Sequence, residues 1–453
     1  MADLIGTTLQ SLGEQLAGNI SVPGDDRYAR ATATWAKPVG RMPRAVVHCL
    51  TAQDVQSAIR VARDCDAPLS VRGGGHDWAC RALCDGIVID LSGMNGVAIA
   101  PDNATARIFG GARATDVLAA TEARELAAVT GSVGAVGMAG LTLGGGYGPL
   151  IGRFGLALDN LVAAVVVLAD GRVVVADNDH DAELFWALRG GGGNFGVVTA
   201  MRQRLHYLPS VRFGMLIYPF SEAKAVLERC ADLAADMPNE FTVQVGIAAG
   251  PGGATAVFVL PTWSGARAEG EVRLAPFLKL GTLLAGTVDA IPYKASLTAF
   301  DAFIPNGCRV LIETCWIPPL DGDGIDVFIQ AMEAAVSPGC AIFTHEFKGA
   351  ASRVPEQATA FGLRRDHVLV EIIAMFADRS DGHDEQRHQQ WTRTTREAFD
   401  AMAFAGGYPN LLGRADIDRA AKSYGGNAAR LSQAKRRYDP ENVFRSAIPL
   451  PAW

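Results

Sequence analysis

Leu69-Ser70-Val71-Arg72-Gly73-Gly74-Gly75-His76-Asp77 is the stretch on which the reading of this chain turns. A short apolar run, readable as a strand, delivers three glycines and then a histidine. Lacking Cβ atoms, the glycines let the backbone turn sharply and let their N–H groups converge on an anion. Such a loop suits a pyrophosphate, and the side chain just after it is held near whatever that pyrophosphate carries. A three-glycine loop is also an ordinary turn, so its meaning depends on the sequence around it.

Upstream, Thr51-Ala-Gln-Asp54 has the form of a capping box, and Val55, Ala58, Ile59 and Ala62 recur at helical spacing, which predicts a helix before the loop. Downstream, Gly86 to Leu91 and Arg107 to Phe109 read as strands, and Thr115 or Asp116 can cap a helix carrying Val117, Leu118 and Thr121. From Thr130 to Gly148 glycine dominates, a composition that disfavours a helix interior but can lay bare backbone against a large flat ligand. Asp170-Gly171 between two apolar runs, Leu161 to Ala169 and Arg172 to Ala176, predicts a hairpin. Asp181 is placed to cap a helix that Gly190 stops, and Arg189-Gly-Gly-Gly-Gly-Asn-Phe-Gly196 leads into an extended run, Val197 to Leu205.

Beyond about Pro209 the glycine-rich character ends. Strand-like runs (Phe213 to Tyr218, Phe241 to Ile247, Ala256 to Leu260, Arg309 to Trp316, Val368 to Phe376) alternate with helical ones (Glu222 to Met237, Ile325 to Val336, Asp384 to Ala403). That pattern predicts an antiparallel sheet with helices on one face. Ala415 to Pro440 reads as helical with a break at Gly425-Gly426.

Bulk properties narrow the function. The 453 residues are 49% apolar and 20% charged with a net charge of -7, and no run of Lys or Arg invites nucleic acid or an anionic membrane. Met1 to Ile20 carries Asp3 and Glu14 and lacks the basic start and apolar core of a signal peptide, and Leu161 to Ala169, the longest apolar run, is too short to span a bilayer. A cytoplasmic protein is expected. The eight cysteines are scattered; Cys80 and Cys84 have no second pair at ligand spacing, so buried thiols rather than a metal site are expected. Gly134, Gly137 and Gly140 imitate a dinucleotide fingerprint, but no βαβ unit frames them.

Five motifs taken in order are more informative. Arg72-Gly-Gly-Gly-His76, Gly144-Gly-Gly-Tyr-Gly148, Leu158-Asp159-Asn160, Leu188-Arg-Gly-Gly-Gly-Gly-Asn-Phe-Gly-Val-Val-Thr199 and Tyr438-Asp-Pro-Glu-Asn-Val-Phe444 resemble the berberine-bridge-enzyme-like branch of the vanillyl-alcohol-oxidase (PCMH-type) flavoproteins. The likeness runs from about Arg41 to Phe444. It implies an α+β fold: a PCMH-type FAD-binding domain of two subdomains (1–206), an antiparallel-sheet substrate domain covered by helices (207–404), and a C-terminal segment returning to the FAD domain (405–453).

The resemblance implies that His76 bonds covalently to the 8α-methyl carbon of FAD, a role that suits a neutral imidazole near pH 7. Many members add a cysteine link to the flavin within Cys-Pro-x-Val-Gly. Here Val133 stands at that position, so one link is expected. Val136 matches a site where valine leaves room for O2, which implies an oxidase. Arg72, Gly73, Gly74, Gly75, Gly131, Ser132, Gly137, Gly140, Gly144 and Val198 match positions along the cofactor, with Arg72 equally able to serve as an ion-pair partner. Tyr408 and Asn410, in Gly407-Tyr-Pro-Asn410, match a segment that returns to the flavin.

For catalysis, Tyr408 could orient or deprotonate a substrate hydroxyl. Glu371, alone in an apolar run, should face a cavity or be paired, and Glu371 or His345 is preferred to Lys348 as base. His367, His383 and His388 read as surface or helix residues. The expected activity is oxidation of a small alcohol, amine or phenol, with hydride passing to FAD and O2 giving hydrogen peroxide. A dehydrogenase with another acceptor and a non-redox cyclase or drug-binding resistance protein are the rival readings. No nucleic acid, membrane or metal partner is expected; monomer and homodimer remain open.

Overall fold

The computed structural model describes residues 19–299, 301, 306–377, 382–413 and 416–451. The segment read above for a signal peptide lies almost wholly outside these residues. Among them, no helix is long and apolar enough to cross a membrane.

Three sheets organise the chain. In the first, Ala45–His48, Ile87–Asp90 and Leu69–Arg72 run parallel, and Ile20–Ser21 adds an antiparallel edge. The capping box forms as predicted, with Thr51 accepting from Asp54 N at 3.2 Å and Asp54 accepting from Thr51 N at 2.8 Å. The helix it starts, Ala52–Asp64, buries Val55, Ala58, Ile59 and Ala62.

The second sheet is antiparallel and centres on Val197–Tyr207, flanked by Thr105–Phe109 and Leu161–Val167. The predicted hairpin joins Leu161–Val167 to Val173–Ala176. The third sheet is antiparallel with eight strands among the described residues; towards one edge it runs Phe241–Ala249, Cys340–Phe347, His367–Phe376, Arg309–Ile317. Helices Ala223–Ala235, Gly322–Glu333 and Gly382–Ala398 bury Val226, Phe328 and Trp391 against one face, where Val245, Ile342, Val370 and Ile372 meet them. Period-two alternation sends the intervening residues to the other face.

Several expectations need correcting. Met138–Gly144, in the glycine-rich run, is a helix. Burial of Met138, Thr142 and Leu143 against the Ala182–Gly191 helix overrides the poor propensity, and Gly145, at φ 146°, ends it. Asp181 precedes its helix but does not cap it: at φ 45° its carboxylate makes no capping bond. Asp116 sits in the first turn, where it accepts from Arg113 N at 2.8 Å, rather than at the cap itself. The expected Phe213 to Tyr218 strand is two strands broken at Met215. His367 is in a strand and only 2% exposed, neither surface nor helix, whereas His388 is on a helix as expected and buried there.

The last helix, Ala428–Tyr438, packs on Ala182–Gly191. Lys435, fully buried, donates to Asn194 O at 2.9 Å and to Asp439 at 2.5 Å, and Asp439 accepts from Phe444 N. The C-terminal stretch is thereby fixed against the glycine-rich half of the chain.

Candidate active site

A cavity of about 610 Å³ lies between the glycine loops and the open face of the third sheet. Leu69–Arg72 delivers the first loop to it. Arg72 itself turns away: Nη1 meets Asp90 Oδ1 at 2.9 Å, both side chains nearly fully buried, and Arg72 does not line the cavity. Burial opposes the Asp90 charge, yet hydrogen bonds from His48 and Ser92 and the Arg72 guanidinium hold its carboxyl below the ordinary value. This network anchors the strand end from which the loop springs.

Gly73, Gly74, Gly75 and His76 all line the cavity. Burial lowers the His76 pKa to about 4, against the opposing pull of Asp77 and Glu371. The imidazole is therefore neutral at pH 7, and among the described residues neither ring nitrogen has a hydrogen-bond partner. The Trp35 indole stacks on it with centroids 4.4 Å apart at 15°.

The second glycine loop closes against the first. A Cβ on Gly74 would fall 2.5 Å from Gly137 N, and one on Gly137 would fall 2.5 Å from Gly74 N. The two backbones touch because neither residue carries a side chain. Gly131, Ser132, Val133, Val136, Gly137, Gly140 and Val198 line the same cavity, and a Cβ on Gly140 would meet only open space. Gly144 lies behind that surface, packed so closely on Asn410 that a Cβ would reach 2.0 Å from Oδ1. Bare main chain and a neutral imidazole lining one cavity fit a dinucleotide.

Opposite stands the catalytic candidate set. His345 and Glu371 project from neighbouring strands, Nε2 to Oε1 3.2 Å, with side chains 13% and 18% exposed. Ser132 Oγ lies 3.4 Å from His345 Nδ1 and Gln244 Nε2 3.4 Å from His345 Nε2. Glu346 points the other way, accepting from Val243 N at 2.7 Å, and Lys348 pairs with it; neither lines the cavity.

Tyr408 enters from the C-terminal segment. Its hydroxyl accepts from Gly146 N at 2.8 Å and from Asn410 Nδ2 at 2.9 Å. Burial pushes its pKa up to about 12, so at neutral pH the hydroxyl keeps its proton and can donate it to a bound molecule. These contacts favour orienting a substrate over deprotonating it.

Some site residues carried no signal in the sequence. Trp35 sits in Ala-Thr-Trp-Ala, outside any motif. Tyr147 lies within the glycine run and lines the cavity, its hydroxyl 2.7 Å from His367 Nε2 and its ring 4.9 Å from Tyr408. Since His367 Nδ1 must donate to Arg365 O, Nε2 accepts and Tyr147 donates. Gln244 was recoverable only from knowledge of which strand adjoins His345.

Residues 43–177 match the family described as FAD binding domain, and residues 399–451 match the one described as berberine and berberine like. The FAD-linked oxidoreductase YvdP of Bacillus subtilis is 30% identical, with 96% of this chain and 98% of that protein aligned. (R)-6-hydroxynicotine oxidase of Paenarthrobacter nicotinovorans is 29% identical over 95% of this chain and 96% of its own. The crystal structure of 6-hydroxy-D-nicotine oxidase from Arthrobacter nicotinovorans superposes with a TM-score of 0.85 at 28% identity, covering 95% of this chain and 97% of that one.

Proposed function

The chain belongs to the berberine-bridge-enzyme-like FAD-linked oxidoreductases, and on that premise we propose that it oxidises a small alcohol, amine or phenol with FAD held by a single bond to His76. FAD, when bound, supplies a hydride acceptor that O2 can reoxidise with release of hydrogen peroxide. In this reading residues 1–206 carry the cofactor, 207–404 face the substrate, and 405–453 bring Tyr408 back to the cavity. His76 is the attachment point, supported by its neutral imidazole, whose nitrogens have no hydrogen-bond partner among the described residues. Val133 lines the cavity where a second link would form, and among the described residues no cysteine lines it. Arg72 acts through its ion pair with Asp90, holding the loop from behind.

Glu371 takes the substrate's N–H or O–H proton, and His345, in contact with it, holds the carboxylate in place. Tyr408 donates a hydrogen bond to the same substrate group, its oxygen fixed by Gly146 and Asn410. The observation that carries this reading is the convergence of His76, Tyr408, His345 and Glu371 on one cavity. Anaerobic mixing with substrate should bleach the flavin, and admitting O2 should restore it with one peroxide per turnover. Reoxidation only by an artificial acceptor would make the enzyme a dehydrogenase.

A further inference from the structure

The open face of the third sheet is divided in its chemistry along the strands. Gln244, His345 and Glu371 form a polar cluster at the end that touches Ser132. From there outward the cavity wall is Ala248, Phe258, Ile312, Phe343, Ile373 and Met375, all apolar. The register makes this a continuous surface: Phe343 lies opposite Glu371, and Ile373 opposite Ile312. Met375 lies four positions beyond Glu371, a run of roughly 13 Å at the usual strand rise. Pro338, exposed, and Gly339, whose carbonyl accepts from Met375 N at 2.9 Å, mark the outer end.

Phe343 is a fixed part of this wall. A Cβ on Gly246 of the adjoining strand would fall 2.2 Å from Phe343 Cδ1, so the missing side chain is filled by the ring. Phe258 meets its far side, centroids 6.2 Å apart. The ring thus packs over Gly246 and beside Phe258.

Charge sharpens the division. Glu371 is the carboxylate that this wall presents. Arg81, the one arginine lining the cavity among the described residues, is engaged by Asp77 and by the carbonyl oxygens of Pro409, Asn410 and Leu412, and no lysine lines it. An anionic ligand would meet a like charge with no available cation, and a glycan would bury hydroxyl groups against carbon along most of the cleft.

We propose that the substrate is a lipophilic molecule, uncharged or cationic, that presents one amine or phenolic hydroxyl to the Gln244–His345–Glu371 cluster and lays an apolar body along Phe343, Ile373 and Met375. This rests on the cavity being the reaction site of a flavin oxidase. Oligosaccharides, carboxylates and phosphates are excluded by the same wall.

The test uses the FAD-loaded holoenzyme under anaerobic conditions, titrated with arylalkylamines and alkylphenols of increasing chain length, with oligosaccharides, and with aryl carboxylates. Perturbation of the flavin spectrum reports binding and its bleaching reports reduction. Affinity should rise about fourfold per added methylene until the groove is filled, then level off. Oligosaccharides and carboxylates should leave the spectrum unchanged. Ile373→Lys, compared with the unaltered enzyme at equal flavin content, should lose at least tenfold in affinity for the long-chain amines and gain binding of the carboxylates. Flat length dependence, or tighter binding of an oligosaccharide or carboxylate by the unaltered enzyme, overturns the proposal whatever the variant does. Bleaching by oligosaccharides alone would overturn the substrate class and leave the oxidase standing. Binding of the lipophilic series without bleaching by any member would instead remove the oxidase reading and leave the ligand class intact.

Discussion

The indole of Trp35 lies flat on the imidazole of His76, ring centroids 4.4 Å apart and planes within 15°. The stack fixes the ring plane of a histidine whose nitrogens have no hydrogen bond among the described residues to orient them. Trp35→Leu should remove that plate and lower the acid-stable flavin fraction severalfold, while Trp35→Phe, which keeps an aromatic face, should retain most of it. Flavin remaining with the protein after acid precipitation gives the answer. Equal fractions in all three proteins would dismiss the stack as incidental.

Glu371 faces the cavity and meets His345 Nε2 at 3.2 Å. Glu371→Gln preserves shape and removes the proton acceptor, so the rate of flavin bleaching at saturating substrate should fall on the order of 100-fold with flavin content unchanged. His345→Gln should cost about tenfold if its role is to hold the carboxylate. A larger loss at His345 than at Glu371 would exchange the two roles.

Tyr408→Phe leaves the N–H of Gly146 and the Nδ2 of Asn410 without their shared acceptor. Stability should drop by about 1–3 kcal/mol, and turnover should fall roughly tenfold, the cost of one lost orienting hydrogen bond of about 1.4 kcal/mol. With the pKa pushed up to about 12 by burial, Tyr408 contributes no titration to the activity profile below about pH 10. An alkaline limb near pH 8 that vanishes in Tyr408→Phe would show the phenolate acting as base instead.

His367 carries a pH signature of its own. Burial lowers its pKa to about 3, whereas the unfolded chain should titrate near the ordinary value of about 6.5. Above pH 6.5 both states are neutral at this site. As pH falls below 6.5 the unfolded state binds a proton that the folded state refuses, so stability declines progressively toward pH 3. At pH 5 the loss is about 2 kcal/mol. His367→Gln should shrink the difference between the unfolding free energies from urea titration at pH 7 and pH 5 by that amount, whatever its stability at pH 7. An unchanged difference would mean that His367 accepts its proton in the folded protein.

Legibility followed the range of the interactions. The capping box at Thr51, the Asp170-Gly171 hairpin and the alternation around Glu371 are local signals, and each element stands where its residues predict. Met138–Gly144 is helical because of what it packs on, and no local propensity encodes that. His367 was misplaced for the same reason: its burial comes from Tyr147, Phe347 and Trp316, which are distant in sequence. The glycine loop and His76 were legible as a unit, since a backbone cradle needs consecutive residues. Trp35 was not, because stacking leaves no spacing to read.

The most direct measurement is the mass of the denatured, FAD-loaded protein and of its tryptic peptides. One FAD should add to the intact chain, reside on the peptide containing His76, and be absent from the His76→Ala variant. An unmodified chain with all flavin released, or flavin found on any peptide other than that of His76, would contradict the single-histidine attachment from which the rest of the site is read.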